Sequence, residues 1–181
     1  MFYYSVSDEM QLKLLELRDA EEIFALTDMS RSYLREWLPW VDATRTVEDS
    51  KAFIQSTLQQ FATNSGFQAG IIYKGELAGV VGFHDIHWTN KSTSIGYWLG
   101  EGFQGQGIMT SACRAMVNIA IQEYELNRIE IRAAVGNRKS RAIPERLGFR
   151  QEGTCRQAEW LYDHYVDHVV YGLLKEDWCR P

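Results

Sequence analysis

The sequence predicts an α/β domain of the layered α+β kind, in which helices flank a central, largely antiparallel sheet. Hydrophobic periodicity gives the order strand, two helices, three strands, helix, strand, helix and two strands. A hairpin pattern in the middle of the chain, where two apolar runs meet at Lys74-Gly75, supports antiparallel pairing. The length of 181 residues, 45% of them hydrophobic, suits a single domain over residues 1–181 with a sizeable core.

The N-terminal part is predicted to form one strand followed by helical segments. The run "LKLLEL" (12–17) is typical of a strand, and the segment 18–30 is typical of a helix for which Asp19 is a candidate N-cap. The segment 31–40 follows as a second amphipathic piece, which is expected to end at Pro39.

A longer helix and the hairpin come next. The helix is predicted over 46–63, where Thr46 and Asp49 have the spacing of a capping box. The hairpin is predicted within 66–87, and Gly148 is a candidate C′ residue for a later helix. The remaining elements are predicted as strand, helix, strand, helix, strand and strand over residues 92–100, 107–124, 128–135, 137–149, 150–158 and 165–174.

Composition and charge exclude several classes of function. The chain carries 24 acidic and 19 basic residues, which argues against nucleic acid as the main ligand. Cys113, Cys155 and Cys179 are widely spaced and odd in number, so we expect reduced thiols in a cytoplasmic protein rather than a disulfide framework. We expect no membrane partner, since no apolar run approaches the roughly 20 residues of a membrane span.

Four glycines precede the helix that is predicted from residue 107, in the segment "WLGEGFQGQGIM" (98–109). Glycines allow backbone N–H groups to converge, and a helix N-terminus adds partial positive charge, so this loop could bind a pyrophosphate. A plain glycine-rich turn remains the alternative at this point. Neither G-x-G-x-x-G nor a Walker loop occurs in the segment, which argues against the common nucleotide sites.

Two motifs in this order resemble the GNAT acetyltransferase superfamily. "QGQGIM" is similar to its acyl-coenzyme A loop, Gln/Arg-x-x-Gly-x-Gly/Ala, which Gln104 and Gly107 match and from which Met109 departs. "NRKSRAIPERLGF" (137–149) is similar to the second motif, Asn-x-x-Ser/Ala with a Gly-Phe ending. Stretches across nearly the whole chain resemble the Rim type of ribosomal-protein N-acetyltransferases, namely "LRDAEEI", "YLREWLPW", "IGYWLGEGFQGQGIM" and "RLGFRQEGTCRQAEW".

The resemblance implies a GNAT fold with a splayed sheet, and acetyl-coenzyme A (acetyl-CoA) as co-substrate. It implies that the pantetheine arm lies where the sheet splays after residues 93–99, and that the pyrophosphate lies on the glycine loop. The residues expected to contact the cofactor are Leu99, Gln104, Gly105, Gln106, Gly107, Ile108, Met109, Thr110 and Asn137.

The resemblance also implies catalytic candidates. Many members of the superfamily place a Tyr on the second-motif helix as the thiol acid, but Pro144 occupies that position here. The resemblance to the Rim type instead implies a catalytic pair of Glu and Ser, which Glu101 and Ser140 match. The structural alternatives are a solvated loop carboxylate for Glu101 and a backbone-capping hydroxyl for Ser140. Pro144 further leaves the Ser140 carbonyl without its helical donor.

Aromatic and acidic side chains are candidates for the acceptor site. By resemblance, Tyr33, Trp37 and Tyr162 are expected to form its walls. Three acids could attract a cationic acceptor or simply form a solvated face: Asp42, Glu159 and Asp163.

The four histidines do not predict a metal site. His84 and His87 have i, i+3 spacing and would point to opposite faces of a strand. His164 and His168 have i, i+4 spacing and would lie about 13 Å apart along a strand.

The function expected from these residues and the resemblance is transfer of acetyl to a primary amine, preferably the α-amine of a ribosomal protein N-terminus. A polyamine or an aminoglycoside is the alternative acceptor within the enzyme class. A non-catalytic module that senses acyl-CoA is the alternative outside it. A homodimer is expected by analogy.

Overall fold

The computed structural model describes residues 2–178 and contains one mixed sheet of eight strands with helices on both faces. The strands are β1 (Tyr3–Ser7), β2 (Met10–Leu14), β3 (Gln68–Tyr73), β4 (Glu76–Phe83), β5 (Ser92–Leu99), β6 (Arg128–Ala134), β7 (Arg150–Leu161) and β8 (His164–Leu174). The helices are α1 (Ala20–Met29), α2 (Arg31–Arg35), α3 (Val47–Ala62), α4 (Ile108–Asn118), α5 (Arg138–Arg146) and α6 (Lys175–Trp178). No helix in this described range is long and apolar enough to cross a membrane.

The sheet has the strand order β1-β2-β3-β4-β5-β6-β8-β7, and all neighbouring strands except one pair are antiparallel. The exception is β5 with β6, which are parallel and pair only where Ser92–Ser94 faces Arg128–Glu130. Beyond these residues β5 continues along β4, and β6 continues along β8. The mostly antiparallel sheet expected from the sequence is confirmed, and it opens between β5 and β6.

The two faces of the sheet are covered by different helices. Successive strand residues point to opposite faces, as Val80 and Val81 of β4 show. Val80 packs with Leu26 of α1 and Ile54 of α3, whereas Val81 belongs to the larger core that includes Met116 of α4. All five of these side chains are at most 6% exposed, so each face has a dry core.

The N-terminus differs from the sequence prediction. A strand at Tyr3–Ser7 was not predicted, and the following strand runs over Met10–Leu14 instead of 12–17. Asp19 lies at the N-cap position of α1, but its carboxylate does not cap that helix. It accepts hydrogen bonds from Lys13 Nζ at 2.5 Å and Glu16 N at 2.8 Å. The Asp19 side chain, which the sequence predicted to cap α1, therefore forms a buried ion pair with Lys13 instead.

The second helical segment is shorter than predicted, whereas the helix before β6 reaches nearly its predicted end but changes its helix type. The second amphipathic piece is helical only as far as Arg35, and a single 3₁₀ turn follows at Val41–Ala43. The helix predicted to reach residue 124 is α-helical to Asn118 and continues as a π-helical turn over Ile119–Glu123.

Local signals of caps and turns are confirmed elsewhere. Thr46 Oγ1 accepts from Asp49 N at 3.4 Å, and the Asp49 carboxylate accepts from Thr46 N at 2.8 Å, which completes the capping box. Lys74 and Gly75 connect β3 and β4 with φ of 52° and 85°, the geometry of a tight type I′ hairpin. Gly148 follows the last residues of α5 with φ of 79°.

Thr46→Ala is expected to lower the free energy of unfolding by about 1 kcal/mol, because the amide of Asp49 loses its side-chain acceptor. Urea unfolding monitored by circular dichroism measures the change. Thr46→Ser keeps the hydroxyl and is the matched control, which should remain close to the parent protein. An alanine variant as stable as the serine variant would contradict the capping role.

Candidate active site

The glycine loop delivers the chain into α4 with its backbone amides uncovered. Gly105 and Gly107 have φ of 75° and 74°, a left-handed conformation that favours glycine. Gly107 is the N-cap of α4 and provides no side-chain cap, so the amides of Ile108, Met109 and Thr110 lack intrahelical partners. Converging amides at a helix N-terminus form a site for a phosphate-sized anion.

A cavity of about 680 Å³, called the loop cavity below, extends from this loop along the end of β5 to α5. Two basic side chains reach its rim. Lys139 Nζ donates to Gln104 Oε1 at 2.8 Å, and Arg146 Nη1 lies 3.5 Å from Thr110 Oγ1. Neither cation was among the residues expected at the site, although each lies within the second motif. Their positive charges and the α4 amides fit an anionic ligand such as a pyrophosphate.

The loop cavity collects most of the residues expected at the cofactor site. Gln106 is the exception: it is exposed, and its Nε2 points to Gly102 O at 3.5 Å. The predicted cofactor residues that line the cavity are Leu99, Gln104, Gly105, Gly107, Ile108, Met109, Thr110 and Asn137.

A second cavity of about 670 Å³, called the acceptor cavity below, lies on the other side of the sheet opening. Six residues line both cavities, so the two spaces meet where β5 and β6 diverge: Trp37, Leu38, Tyr97, Trp98, Asn137 and Ser140. One ligand can therefore approach Ser140 from the loop side while another approaches it from the opposite side.

The first turn of α5 positions Ser140 at this junction. Asn137 is the N-cap of α5, and its Oδ1 accepts a hydrogen bond from Ser140 N at 3.1 Å. This bond uses the side-chain oxygen of Asn137 and fixes the backbone of Ser140. The motif asparagine, which the resemblance implied only as a cofactor contact, thus caps α5 and places the serine through one interaction.

Glu101 lies at the edge of the site and lines neither cavity. It begins a one-turn 3₁₀ helix over Glu101–Phe103, its side chain is exposed, and its amide donates to Ser30 Oγ at 3.0 Å. The pKa of Tyr33 is raised chiefly by burial and further by the charges of Glu36 and Glu101. Glu101 is therefore close enough to influence the Tyr33 wall of the loop cavity.

The three aromatic residues that were expected to form the walls of the acceptor site lie in different places. Tyr33 lines the loop cavity, and Trp37 lines both cavities. Tyr162 lines neither: its hydroxyl donates to Leu38 O, and its ring lies under the Arg35 guanidinium at 3.9 Å. Tyr162 therefore holds the tip of the β7–β8 hairpin against the segment that carries Trp37.

Of the three acids considered from the sequence, Glu159 is the one that lines the acceptor cavity, where Asp49 is a second acidic residue. Glu159 Oε2 lies 3.3 Å from His168 Nε2, and the Glu159 side chain is 30% exposed. The register of β7 against β8 shifts between Cys155 and Glu159, and Gln157 there has φ of 47°. The two extra residues on β7 place Glu159 opposite Val166 rather than His164 and leave it on the same face as Cys155. No pattern in the sequence indicated the bulge. From the sequence, Glu159 was only one of three acids that could attract an acceptor or form a solvated face.

His84 also faces the acceptor cavity. Burial lowers the pKa of His84, partly opposed by the charge of Asp85, so the imidazole is neutral at pH 7. A Cβ at Gly96 would come within 2.4 Å of His84 Nε2, so any side chain at that position would displace the ring. Among residues 2–178 no group of three or more His, Cys, Asp or Glu side chains could hold a metal ion.

Comparison with known proteins identifies the family. Residues 10–150 match the acetyltransferase (GNAT) domain. This chain belongs to the GNAT acetyltransferase family. As a GNAT acetyltransferase it uses acetyl-CoA.

Relatives of this GNAT acetyltransferase extend over nearly its whole length. YdaF of Bacillus subtilis (strain 168) is 38% identical over 179 residues, 98% of each chain. The ribosomal-protein-serine acetyltransferase of Escherichia coli (strain K12) is 32% identical, covering 93% of this chain and 94% of that protein. A solved structure of RimL, the ribosomal L7/L12 α-N-protein acetyltransferase, contains coenzyme A and is 28% identical, with a TM-score of 0.93, covering 97% of this chain and 99% of that one.

Gly107→Ala is expected to weaken acetyl-CoA binding about tenfold, because alanine disfavours the φ of 74° that aims the α4 amides. A Cβ at Gly107 would meet no atom within 4 Å, so the backbone conformation alone causes the effect. Isothermal titration calorimetry measures the dissociation constant.

Gly102→Ala is the matched control for this loop variant. A Cβ at Gly102 also meets nothing within 4 Å, and this residue does not have a positive φ. Its affinity for acetyl-CoA should stay near that of the parent. Equal affinities for the two alanine variants would show that the left-handed conformation of Gly107 does not organise the cofactor loop.

Proposed function

We propose that this GNAT acetyltransferase transfers the acetyl group of acetyl-CoA to the α-amine of a ribosomal protein N-terminus, in the cytoplasm. The observation that carries the proposal is the meeting of two cavities at Ser140, one suited to the cofactor and one left for an acceptor. The name of the Escherichia coli relative and the RimL structure support a protein N-terminus as the acceptor.

The chemistry of the acceptor cavity suits a cationic amine with a peptide attached. Aromatic faces attract ammonium groups, and Trp40 and Trp98 lie here with ring centroids 5.7 Å apart. The Glu159 carboxylate adds a negative charge beside them. A volume of about 670 Å³ leaves room for several residues of an extended chain behind the amine.

Two proton movements are needed when an amine attacks a thioester. A peptide α-amine has a pKa of about 7.7–8.0, so a carboxylate need only accept its proton directly or through water. Glu159 is our candidate for this base because it lines the acceptor cavity, whereas Glu101 remains a second candidate at the edge of the site. Ser140 Oγ is our candidate for giving a proton to the departing thiolate, since Ser140 lines both cavities. The serine regains a proton from the attacking nitrogen, which must lose one to form the amide. Acetyl-CoA supplies the activated acetyl group when bound.

Glu159→Gln and Ser140→Ala are each expected to lower kcat about 100-fold, with little change in acetyl-CoA affinity, because each removes one proton-transfer group. Steady-state kinetics that follow thiol release, together with calorimetry for the cofactor, measure both quantities. Glu101→Gln serves as the comparison variant and is expected to have the smaller effect.

The base assignment depends on the order of these effects. A large loss of kcat in Glu101→Gln with normal turnover in Glu159→Gln would return the role of base to Glu101. Normal turnover in Ser140→Ala would remove the serine from the mechanism.

A small-molecule amine is the second candidate acceptor. The structure of the microcin C7 self-immunity acetyltransferase MccE, in complex with acetyl-CoA and AMP, is 35% identical with a TM-score of 0.87. The match covers 93% of this chain and 94% of that one. A fold this similar that accommodates a nucleotide beside acetyl-CoA favours testing small acceptors alongside peptides.

The deciding experiment is an acceptor panel. A peptide that begins with Ser is expected to release thiol from acetyl-CoA faster than spermidine or an aminoglycoside at equal concentration. The same peptide with an acetylated N-terminus is the matched control and should be silent. Release with the small amines alone would overturn the protein acceptor. Saturable cofactor binding without turnover on any amine would favour the alternative of a non-catalytic module that senses acyl-CoA.

Light scattering tests the expected homodimer in the same preparation.

A further inference from the structure

A proline inside α5 leaves a gap in the helical hydrogen bonds next to the site. Pro144 has no N–H, so the carbonyl of Ser140 lacks the donor that an α-helix normally supplies four residues later. The structure fills this gap from another element: Tyr97 Oη on β5 donates to Ser140 O at 3.0 Å. Tyr97 thereby bridges the sheet opening from β5 to α5.

The same phenol is also a partner of the serine side chain. Ser140 Oγ lies 3.2 Å from Tyr97 Oη. A carbonyl can only accept, so the single proton of Tyr97 is directed to Ser140 O, and the serine hydroxyl donates to the phenol oxygen. Two bonds to one oxygen fix the position of Ser140 Oγ relative to its own backbone.

The electrostatic environment keeps this arrangement in one protonation state. Burial raises the pKa of Tyr97 well above its usual range, and the neighbouring Cys113 raises it further. Tyr97 therefore remains a neutral phenol, and a donor to the carbonyl, over the whole pH range of an assay.

We propose that Tyr97 is a positioning residue for Ser140: its hydroxyl replaces the amide that Pro144 lacks and thereby holds Ser140 Oγ at the junction of the two cavities. The inference rests on the role of Ser140 in the proposed function. Its purely structural alternative is that Tyr97 only satisfies a buried carbonyl and stabilises α5.

Pro144→Ala separates these two roles, because it restores an amide that can bond to Ser140 O. In Tyr97→Phe the carbonyl loses its donor, so Tm is expected to fall by several degrees. In the double variant Tyr97→Phe/Pro144→Ala the new amide should recover most of that loss relative to Pro144→Ala alone. The position of Ser140 Oγ is not restored, since its phenol partner is still missing.

The kinetic expectation follows from the same design. Tyr97→Phe should lower kcat about tenfold with an almost unchanged KM for acetyl-CoA, and the double variant should keep this kcat defect while its Tm recovers. In a Ser140→Ala background, Tyr97→Phe should lower kcat no further. The assay uses whichever amine the acceptor panel identifies as a substrate. A failure of this inference can therefore be distinguished from a failure of the peptide assignment. If Tyr97→Phe is too unstable to assay, the double variant carries the test.

Tyr124→Phe is the matched control, since Tyr124 packs against Phe67, Phe83 and Trp88 and lines neither cavity. Its kcat should equal that of the parent. Recovery of kcat together with Tm in the double variant would overturn positioning in favour of the structural role. So would an equal loss of kcat on adding Tyr97→Phe to Ser140→Ala. Normal turnover in Ser140→Ala, in a protein that acetylates an amine, would overturn the inference and leave the acetyltransferase assignment intact.

Discussion

The limited pairing of β5 with β6 is the constraint on which the site depends. Along its outer edge β5 pairs with β4 over residues 95–99, and β6 pairs with β8 over residues 128–134, in both cases antiparallel. Along their shared edge they pair only at Ser92–Ser94 and Arg128–Glu130. The inner backbone groups of 95–99 and 131–134 therefore lack a strand partner there, and an unpaired edge can bond to an extended ligand. The opening also joins the loop cavity to the acceptor cavity, as the proposed transfer of a group between two substrates requires.

The helices α4 and α5 position the backbone amides and the serine of the proposed site beside this opening. The left-handed Gly107 aims the amides of α4 into the loop cavity, while Asn137 fixes the start of α5 so that Ser140 lies where the cavities meet. Pro144 weakens α5 one turn further on, and Tyr97 compensates from the opposite side of the opening. A residue of the sheet thus fills the missing hydrogen bond of α5 next to the reacting groups, and β5 and α5 together fix the position of Ser140.

The acceptor side is organised by the β7–β8 hairpin. A bulge before Glu159 shifts the register of β7 on β8, and the tip of the hairpin is held to the Trp37 segment through Tyr162 and Leu38. The shifted register places Glu159 opposite Val166, and the tip contact joins the hairpin to a segment whose Trp37 and Leu38 line both cavities. Both features join residues more than 100 positions apart or depend on strand register, so neither leaves a local pattern in the sequence.

The sequence by itself determined the order of the elements after the unpredicted β1, the capping box at Thr46, the hairpin turn at Gly75 and the glycine turn into α4 at Gly107, because each depends on neighbours within a few residues. It also led to Ser140 through the second motif. Only the tertiary structure decided that Asp19 pairs with Lys13, that Glu159 lines the acceptor cavity while Glu101 lines neither cavity, and that Tyr97 completes α5. Those contacts form between distant segments, and the packing of helices on a splayed sheet sets their geometry.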